Sequence, residues 1–158
     1  MCGIAGVIGQ NTKNKEVIIK KMTDCIAHRG PDDDGFYNDE KVSLGMRRLS
    51  IIDLKSGKQP IESKDLSSLI FFNGEIYNYK VLKEELVSKG CDFKTNSDTE
   101  VILHLYEKEG DKMLSKLRGM FVFCIYDKKK ETLFIARDYF GIKPLYYYAE
   151  KGTFLFSS

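Results

Sequence analysis

The stretch Leu66-Ser67-Ser68-Leu69-Ile70-Phe71-Phe72 limits the architecture more than any other. It is short and strongly apolar and reads as a strand buried on both faces. Such a strand needs material packed above and below its sheet. It ends in Asn73-Gly74-Glu75.

The other elements follow in chain order. Cys2 to Ile8 mixes small and β-branched residues, with glycines at 3, 6 and 9, and reads as a strand closely approached by other backbone. Lys15 to Ala27 reads as a helix, with Ile18, Met22, Cys25 and Ile26 on one apolar face. His28-Arg29-Gly30-Pro31-Asp32-Asp33-Asp34-Gly35 breaks it as a tight loop. Val42 to Ile52 reads as a strand and Asp53 to Ile61 as a loop. Asn78 is placed to cap a helix over Tyr79 to Ser88, ended by Gly90. Ser97-Asp98-Thr99-Glu100 has the form of a capping box. Its helix runs to about Lys108, with Val101, Ile102, Leu105 and Tyr106 inward and Gly110 as its stop. Met120 to Tyr126 and Thr132 to Arg137 read as one hairpin, Pro144 to Ala149 and Thr153 to Phe156 as another. Strands thus gather at both ends with three helices between, without repeat or linker. This segregation predicts an α+β domain of packed layers.

The 158 residues fit one domain with a substantial core, and 42% hydrophobic with 30% charged residues is a globular balance. A net charge of +2, with basic residues spread out, gives no nucleic-acid footprint. No apolar run approaches the ~20 residues of a membrane helix, and the N-terminus has no secretory pattern, so a cytoplasmic protein is expected. The four cysteines, Cys2, Cys25, Cys91 and Cys124, are scattered, which argues against zinc and against a disulfide framework. Cys25 and Cys124 lie in apolar patterns and read as inert core thiols. The aspartates 32–34 lack the alternating spacing of a calcium loop, so no metal is expected. His28 reads as a hydrogen-bonded structural residue.

Three features stand apart from the core pattern. Cys2 follows Met1 directly. Loss of Met1 puts a thiol and a free α-amine on one residue, and an α-amine titrates at about 7.7–8.0, where it can carry protons. By position alone Cys2 reads first as a small apolar residue opening a strand. Asn73-Gly74 offers a side-chain amide beside an open N–H, an oxyanion-hole pair or a simple turn. Arg48 and Asp98 suit the two charged ends of an amino acid, or a surface cation and a helix-start anion.

A series of motifs decides among these readings: Met1-Cys2-Gly3-Ile4-Ala5-Gly6, His28-Arg29-Gly30-Pro31-Asp32, Arg48-Leu49-Ser50-Ile51-Ile52-Asp53, Gln59-Pro60, Phe72-Asn73-Gly74-Glu75-Ile76-Tyr77-Asn78, Ser97-Asp98-Thr99-Glu100, Leu117-Arg118-Gly119-Met120-Phe121, and Arg137-Asp138-x-x-Gly141-x-x-Pro144-Leu145-Tyr146. In this order the chain resembles, over its whole length, the glutaminase domain of class II glutamine amidotransferases, of the N-terminal-nucleophile hydrolase type. The Asn-Gly-Glu-Ile-Tyr-Asn and Arg-Leu-Ser-Ile elements resemble the branch of glutamine-hydrolysing asparagine synthetases.

The resemblance implies a four-layer αββα sandwich of two antiparallel sheets spanning 1–158. It implies that Cys2, freed of Met1, attacks the carboxamide of L-glutamine and that its own amine relays the proton. Asn73 and Gly74 would hold the oxyanion. Arg48 would hold the α-carboxylate and Asp98 the α-ammonium, with Glu75 and the segment Leu49, Ser50, Ile51 and Ile52 completing the substrate site. A γ-glutamyl thioester would then be hydrolysed to glutamate, and ammonia would pass to a synthetase. With Met1 retained, the protein would be inactive.

No cofactor is implied for this domain. ATP and Mg belong to a synthetase part, and no phosphate-binding glycine loop occurs here. The last residues, Phe154-Leu155-Phe156-Ser157-Ser158, stand where the family continues with Glu. A cut from a longer protein or a stand-alone subunit is therefore expected, without synthetase activity and with exposed apolar surface for a partner domain or subunit. The resemblance is also compatible with a homodimer. Two other readings of the same fold are a structural domain that docks without turnover and an amidotransferase half serving an acceptor other than aspartate.

Overall fold

The computed structural model describes residues 2–9, 14–49 and 57–158. Its strands are β1 (Gly3–Ile8), β2 (Asp33–Asn38), β3 (Val42–Arg48), β4 (Ile61–Glu62), β5 (Ser68–Ile76), β6 (Gly119–Asp127), β7 (Thr132–Arg137), β8 (Tyr146–Glu150) and β9 (Thr153–Ser157). Its helices are α1 (Lys15–Cys25), α2 (Tyr79–Ser88) and α3 (Asp98–Glu109), with 3-10 turns at Ala27–Arg29 and Gly110–Lys116. The strands form two antiparallel sheets, one in the order β2-β3-β1-β9-β8 and the other β4-β5-β6-β7.

From Ser68 onward the apolar strand is covered on both faces, as its sequence predicts; Leu66 lies outside it and is exposed, with a left-handed backbone (φ 58°) in the turn that leads into β5. Leu69 and Phe71 of β5 meet Val122 and Cys124 of β6 and the facing Ile4, Leu44 and Phe156 of the first sheet. Ile70 and Phe72 point the other way, into a core with Leu82 and Leu86 of α2 and Val101, Ile102 and Leu105 of α3. On the outside of the first sheet, Ala5 and Val7 pack with Ile19 of α1. The result is α1, five-stranded sheet, four-stranded sheet, then α2 with α3: an αββα sandwich. Each Phe or Leu side chain buried between the layers contributes about 1.5–3 kcal/mol relative to exposure.

Several local readings change. β5 does not end at Asn73; it runs through Gly74 and Glu75 to Ile76, paired with β6 all the way. Gly74 is required there because a Cβ would sit 2.2 Å from Met120 O and 2.7 Å from Phe121 Cα. On β1 the close approach at Gly6 comes from a side chain, not backbone: a Cβ would lie 2.0 Å from a carbon of the Phe156 ring. The acidic loop is partly strand. Asp33 and Asp34 open edge strand β2, pair in register with Arg48 and Arg47 of β3, and carry ion pairs to Lys58 and Arg47.

Asn78 flanks α2 without a side-chain cap; its amide instead donates to Lys116 O and accepts from Arg118 N. The capping box is half made. Ser97 Oγ accepts from Thr99 N, but Glu100 turns back to Lys94 N and Thr95 N rather than to Ser97. Cys25 is exposed, not a core thiol, because the inward face of α1 centres on Ile19 and Thr23, and Cys25 falls nearly opposite Thr23 on a turn of about 3.6 residues. Cys124 is fully buried, and burial pushes its thiol up to about 12. His28 is exposed.

Candidate active site

Residues two apart on a strand share a face. Along β3 the inward row reads Val42, Leu44, Met46, then Arg48; along β5 it reads Leu69, Phe71, then Asn73 and Glu75. On β1 the row passes from Ile4 back to Cys2, which packs at the edge of the same core. All three rows change from apolar to polar at the same end of the sandwich, where a pocket opens between the sheets. Cys2, Arg48, Leu49, Asn73, Gly74 and Glu75 line it, and Asp98 closes it from the start of α3. Every sequence-predicted site residue within the described part therefore reaches one pocket. Ser50, Ile51 and Ile52 lie outside the described residues.

Cys2 stands beside Arg48 because β1 and β3 pair with Gly3 opposite Arg47. The Cys2 sulfur lies against the backbone of Leu49, accepting from Leu49 N at 3.3 Å and donating to Leu49 O at 3.5 Å. Leu49, expected on the substrate side, thus cradles the thiol. Arg29 Nε donates to Cys2 O at 3.3 Å and fixes the backbone behind it. Arg48 is buried, 5% exposed, despite its charge.

Asn73 is buried, and its Nδ2 donates to Ser158 Oγ at 3.2 Å. The Phe72 backbone next to it is held by the Gln59 amide, which donates to Phe72 O at 3.2 Å and accepts from Phe72 N at 2.7 Å. Asp98 is 3% exposed and its Oδ2 accepts from Ile76 N at 3.0 Å, tying α3 to the end of β5. Burial pushes this carboxyl above the usual aspartate range, against the pull of the Ile76 and Thr99 N–H donors, and nearby Glu75 adds to the rise.

Lys143, Gln59 and Ser158 are the residues that sequence reasoning missed. Lys143 lines the pocket at 2% exposure. Burial, with Arg29 next, holds its ammonium below the usual lysine range, while Cys2, Asp138 and Glu75 act in its favour. Asp138 sets the loop that delivers it: the carboxylate accepts from Ile142 N at 2.8 Å, Lys143 N at 3.0 Å and Phe121 N at 3.1 Å. Lys143 falls at a variable position of the Arg137-to-Tyr146 motif, and Gln59 carries a signal only within Gln59-Pro60. Nothing in a single sequence marks Ser158.

Among the described residues there is no cluster of three or more His, Cys, Asp or Glu that would hold a metal ion. No helix among them is long and apolar enough to cross a membrane. The arrangement unites a thiol, a buried amide with a neighbouring glycine N–H, and buried charges of both signs, the means to bind a zwitterion and attack a carbonyl.

Comparison with known proteins points the same way. The chain is 50% identical over 162 residues to asparagine synthetase [glutamine-hydrolyzing] 1 of Bacillus subtilis, covering 100% of this chain and 26% of that protein. It is 40% identical over 161 residues to asparagine synthetase B [glutamine-hydrolyzing] of Escherichia coli, covering 100% of this chain and 29% of that one. It therefore spans about a quarter of the length of these curated relatives. Among solved structures, the glutamine phosphoribosylpyrophosphate amidotransferase of B. subtilis superposes with a TM-score of 0.82 at 24% identity, over 99% of this chain and 41% of that one, a likeness of fold. Residues 1–158 match the glutamine amidotransferase domain family, and the chain belongs to that family.

Proposed function

We propose that this domain hydrolyses L-glutamine to glutamate and ammonia, with Cys2 as nucleophile, and that the ammonia serves an ATP-dependent synthetase of the asparagine synthetase type. The observation that carries the reading is the single pocket in which the Cys2 sulfur, the Asn73-Gly74 pair, buried Arg48 and buried Asp98 meet. Arg48 holds the substrate α-carboxylate and Asp98 the α-ammonium, which leaves the carboxamide directed at Cys2. Glu75 lines the same pocket and adds to its negative side.

Removal of Met1 frees the α-amine of Cys2. That amine takes the thiol proton as sulfur attacks the carboxamide carbon. The Asn73 side chain and Gly74 N–H stabilise the oxyanion, a donor of this kind contributing about 3–4 kcal/mol. The C–N bond breaks as the amine returns the proton to the leaving nitrogen, and ammonia departs from a γ-glutamyl thioester. Water then adds to the thioester, its proton goes to the sulfur, and glutamate leaves with Cys2 restored. No step needs a metal or cofactor held by this chain; ATP and Mg serve the synthetase.

A synthetase partner, as a following domain or a separate subunit, is supported by the fraction of the relatives' length that this chain covers and by its surface. Tyr139 (95% exposed) and Phe140 (84%) project from the loop before edge strand β8, whose Tyr146, Tyr147 and Tyr148 are also exposed. Exposed aromatic side chains in this number suit a covered interface.

Intact mass measures the reading directly. The active protein is expected to lack Met1 and to gain one adduct from a glutamine-mimicking electrophile, and Cys2→Ala is expected to abolish both the adduct and glutamate release. Glutamate release that survives Cys2→Ala overturns the assignment.

A further inference from the structure

The groups on which this reading rests sit on different sheets, Cys2 ahead of β1 and Asn73 on β5. One hydroxyl joins them. Ser158 follows β9, which pairs with β1, and it is 4% exposed. Its N–H donates to Ile4 O at 2.9 Å, continuing the β1–β9 ladder. Its Oγ accepts from Ile4 N at 3.0 Å and from Asn73 Nδ2 at 3.2 Å.

We infer that Ser158 is a positioning residue for the oxyanion donor, its hydroxyl locking the Asn73 amide plane to the strand that carries Cys2. The inference rests on the proposed role of Asn73. A serine hydroxyl has two acceptor lone pairs. Ile4 N–H takes one and Asn73 Nδ2–H the other, so both are occupied. Ile4 N is a backbone donor of fixed direction, which fixes the hydroxyl oxygen, which in turn fixes one hydrogen of Nδ2. The planar amide then has its second N–H in a defined direction, as a preorganised oxyanion donor requires. Ile4 lies two residues from Cys2, so the same oxygen references the donor to the nucleophile across the gap between the sheets. Without it the amide is free to turn about its side-chain torsion, and the donor is in place for only part of the time.

The test is a cycle on glutamine turnover with Ser158→Ala, Asn73→Ala and the double variant, alongside thermal melts. Loss of the lock is expected to lower kcat about tenfold with KM for glutamine unchanged, since only transition-state binding is touched. In the Asn73→Ala background, Ser158→Ala is expected to change kcat no further. Ser158→Thr keeps the hydroxyl and is expected to restore kcat. A full additional tenfold loss in the double variant, or a Ser158→Ala enzyme with wild-type kcat, overturns the inference while leaving Asn73 its role. Wild-type kcat in Asn73→Ala overturns the underlying reading and this inference together. Because Ile4 N would be left without its acceptor, Ser158→Ala could melt too low to assay. The side-chain amide of Asn73 in the wild-type protein then decides by NMR. One of its two hydrogens should exchange with solvent markedly more slowly than the other, and equal, fast exchange of both overturns the lock.

Discussion

Asp98→Asn separates what the site costs the fold from what it gives the substrate. The substitution keeps the shape, and the side-chain oxygen can still accept from Ile76 N, 3.0 Å away in the native protein, so β5 and α3 stay tied. What disappears is one negative charge at a position 3% exposed. Two opposing effects act on that charge without ligand. The start of α3 favours an anion by about 0.3–1 kcal/mol. Burial beside Glu75 disfavours it, and burial wins, because the carboxyl is pushed above its ordinary range.

A folded-state pKa above the unfolded value means that the folded protein holds its proton longer. Its stability therefore falls as pH rises from the ordinary value of 3.8 through the raised one, and stays lower above it. Asp98→Asn should thus be more stable than wild type at pH 7, by about 1 kcal/mol, the scale of an incompletely compensated buried charge. The gain should vanish below the ordinary aspartate range, where both chains are neutral at this position.

Glutamine binding should move the other way. Removing one partner of a buried charge pair costs about 3–5 kcal/mol, so KM is expected to rise at least a hundredfold, with kcat changed far less. Urea denaturation from pH 3 to 8 and steady-state glutaminase kinetics read both effects. An Asn variant with wild-type KM would remove Asp98 from the substrate clamp. One less stable than wild type at pH 7 would refute the argument that burial outweighs the helix terminus.

Two further outcomes follow from the same structure. Gly74→Ala keeps the N–H proposed as oxyanion donor but places a Cβ 2.2 Å from the β6 backbone, which cannot give way as a side-chain tip could; it should cost about 1–3 kcal/mol in denaturation, and a wild-type melt would refute the close approach. His104 is held up to about 9 by Glu100, 3.8 Å from Nε2, and Glu107, 2.9 Å from Nδ1. The rise from 6.5 corresponds to about 3 kcal/mol at most, and the long Glu100 contact places the contribution nearer 1–2 kcal/mol. That contribution is complete below pH 6.5 and is lost as pH rises through about 9, so wild type should lose its advantage over His104→Gln across that window; a difference flat from pH 6 to 10 would contradict the pairing.

The elements of this protein were largely legible in its sequence because their signals are local. The apolar run of β5, the period of α3 and the stops at Gly90 and Gly110 depend on residues a few positions apart. Where a neighbour from far along the chain decides, the local reading fails. Asp33 and Asp34 look like loop until β3 supplies a strand partner and Arg47 a countercharge. Asn78 has the composition of a cap but binds Lys116 and Arg118, about forty residues on. Cys25 continues an apolar stripe whose Ile18, Met22 and Ile26 pack against the sheet, but it falls at the outer edge of that stripe, away from Thr23.

The site divides in the same way. Motifs named Cys2, Arg48, Asn73, Gly74, Glu75 and Asp98, and a face-by-face reading of β3 and β5 would have shown each inward row turning polar at Arg48 and Asn73. That these polar ends meet at one mouth follows from pairing Gly3 with Arg47 and from stacking two sheets, neither of which is encoded in a short stretch. Lys143 enters the pocket because Asp138 gathers its loop, Gln59 because its amide holds the Phe72 backbone, and Ser158 because β9 lies beside β1. Sequence alone determined which residue types were available for the chemistry. Tertiary structure decided which of them share an environment, because burial, register and the distance between sheets are properties of contacts between residues far apart in the chain, from Gly3 with Arg47 to Ile4 with Ser158.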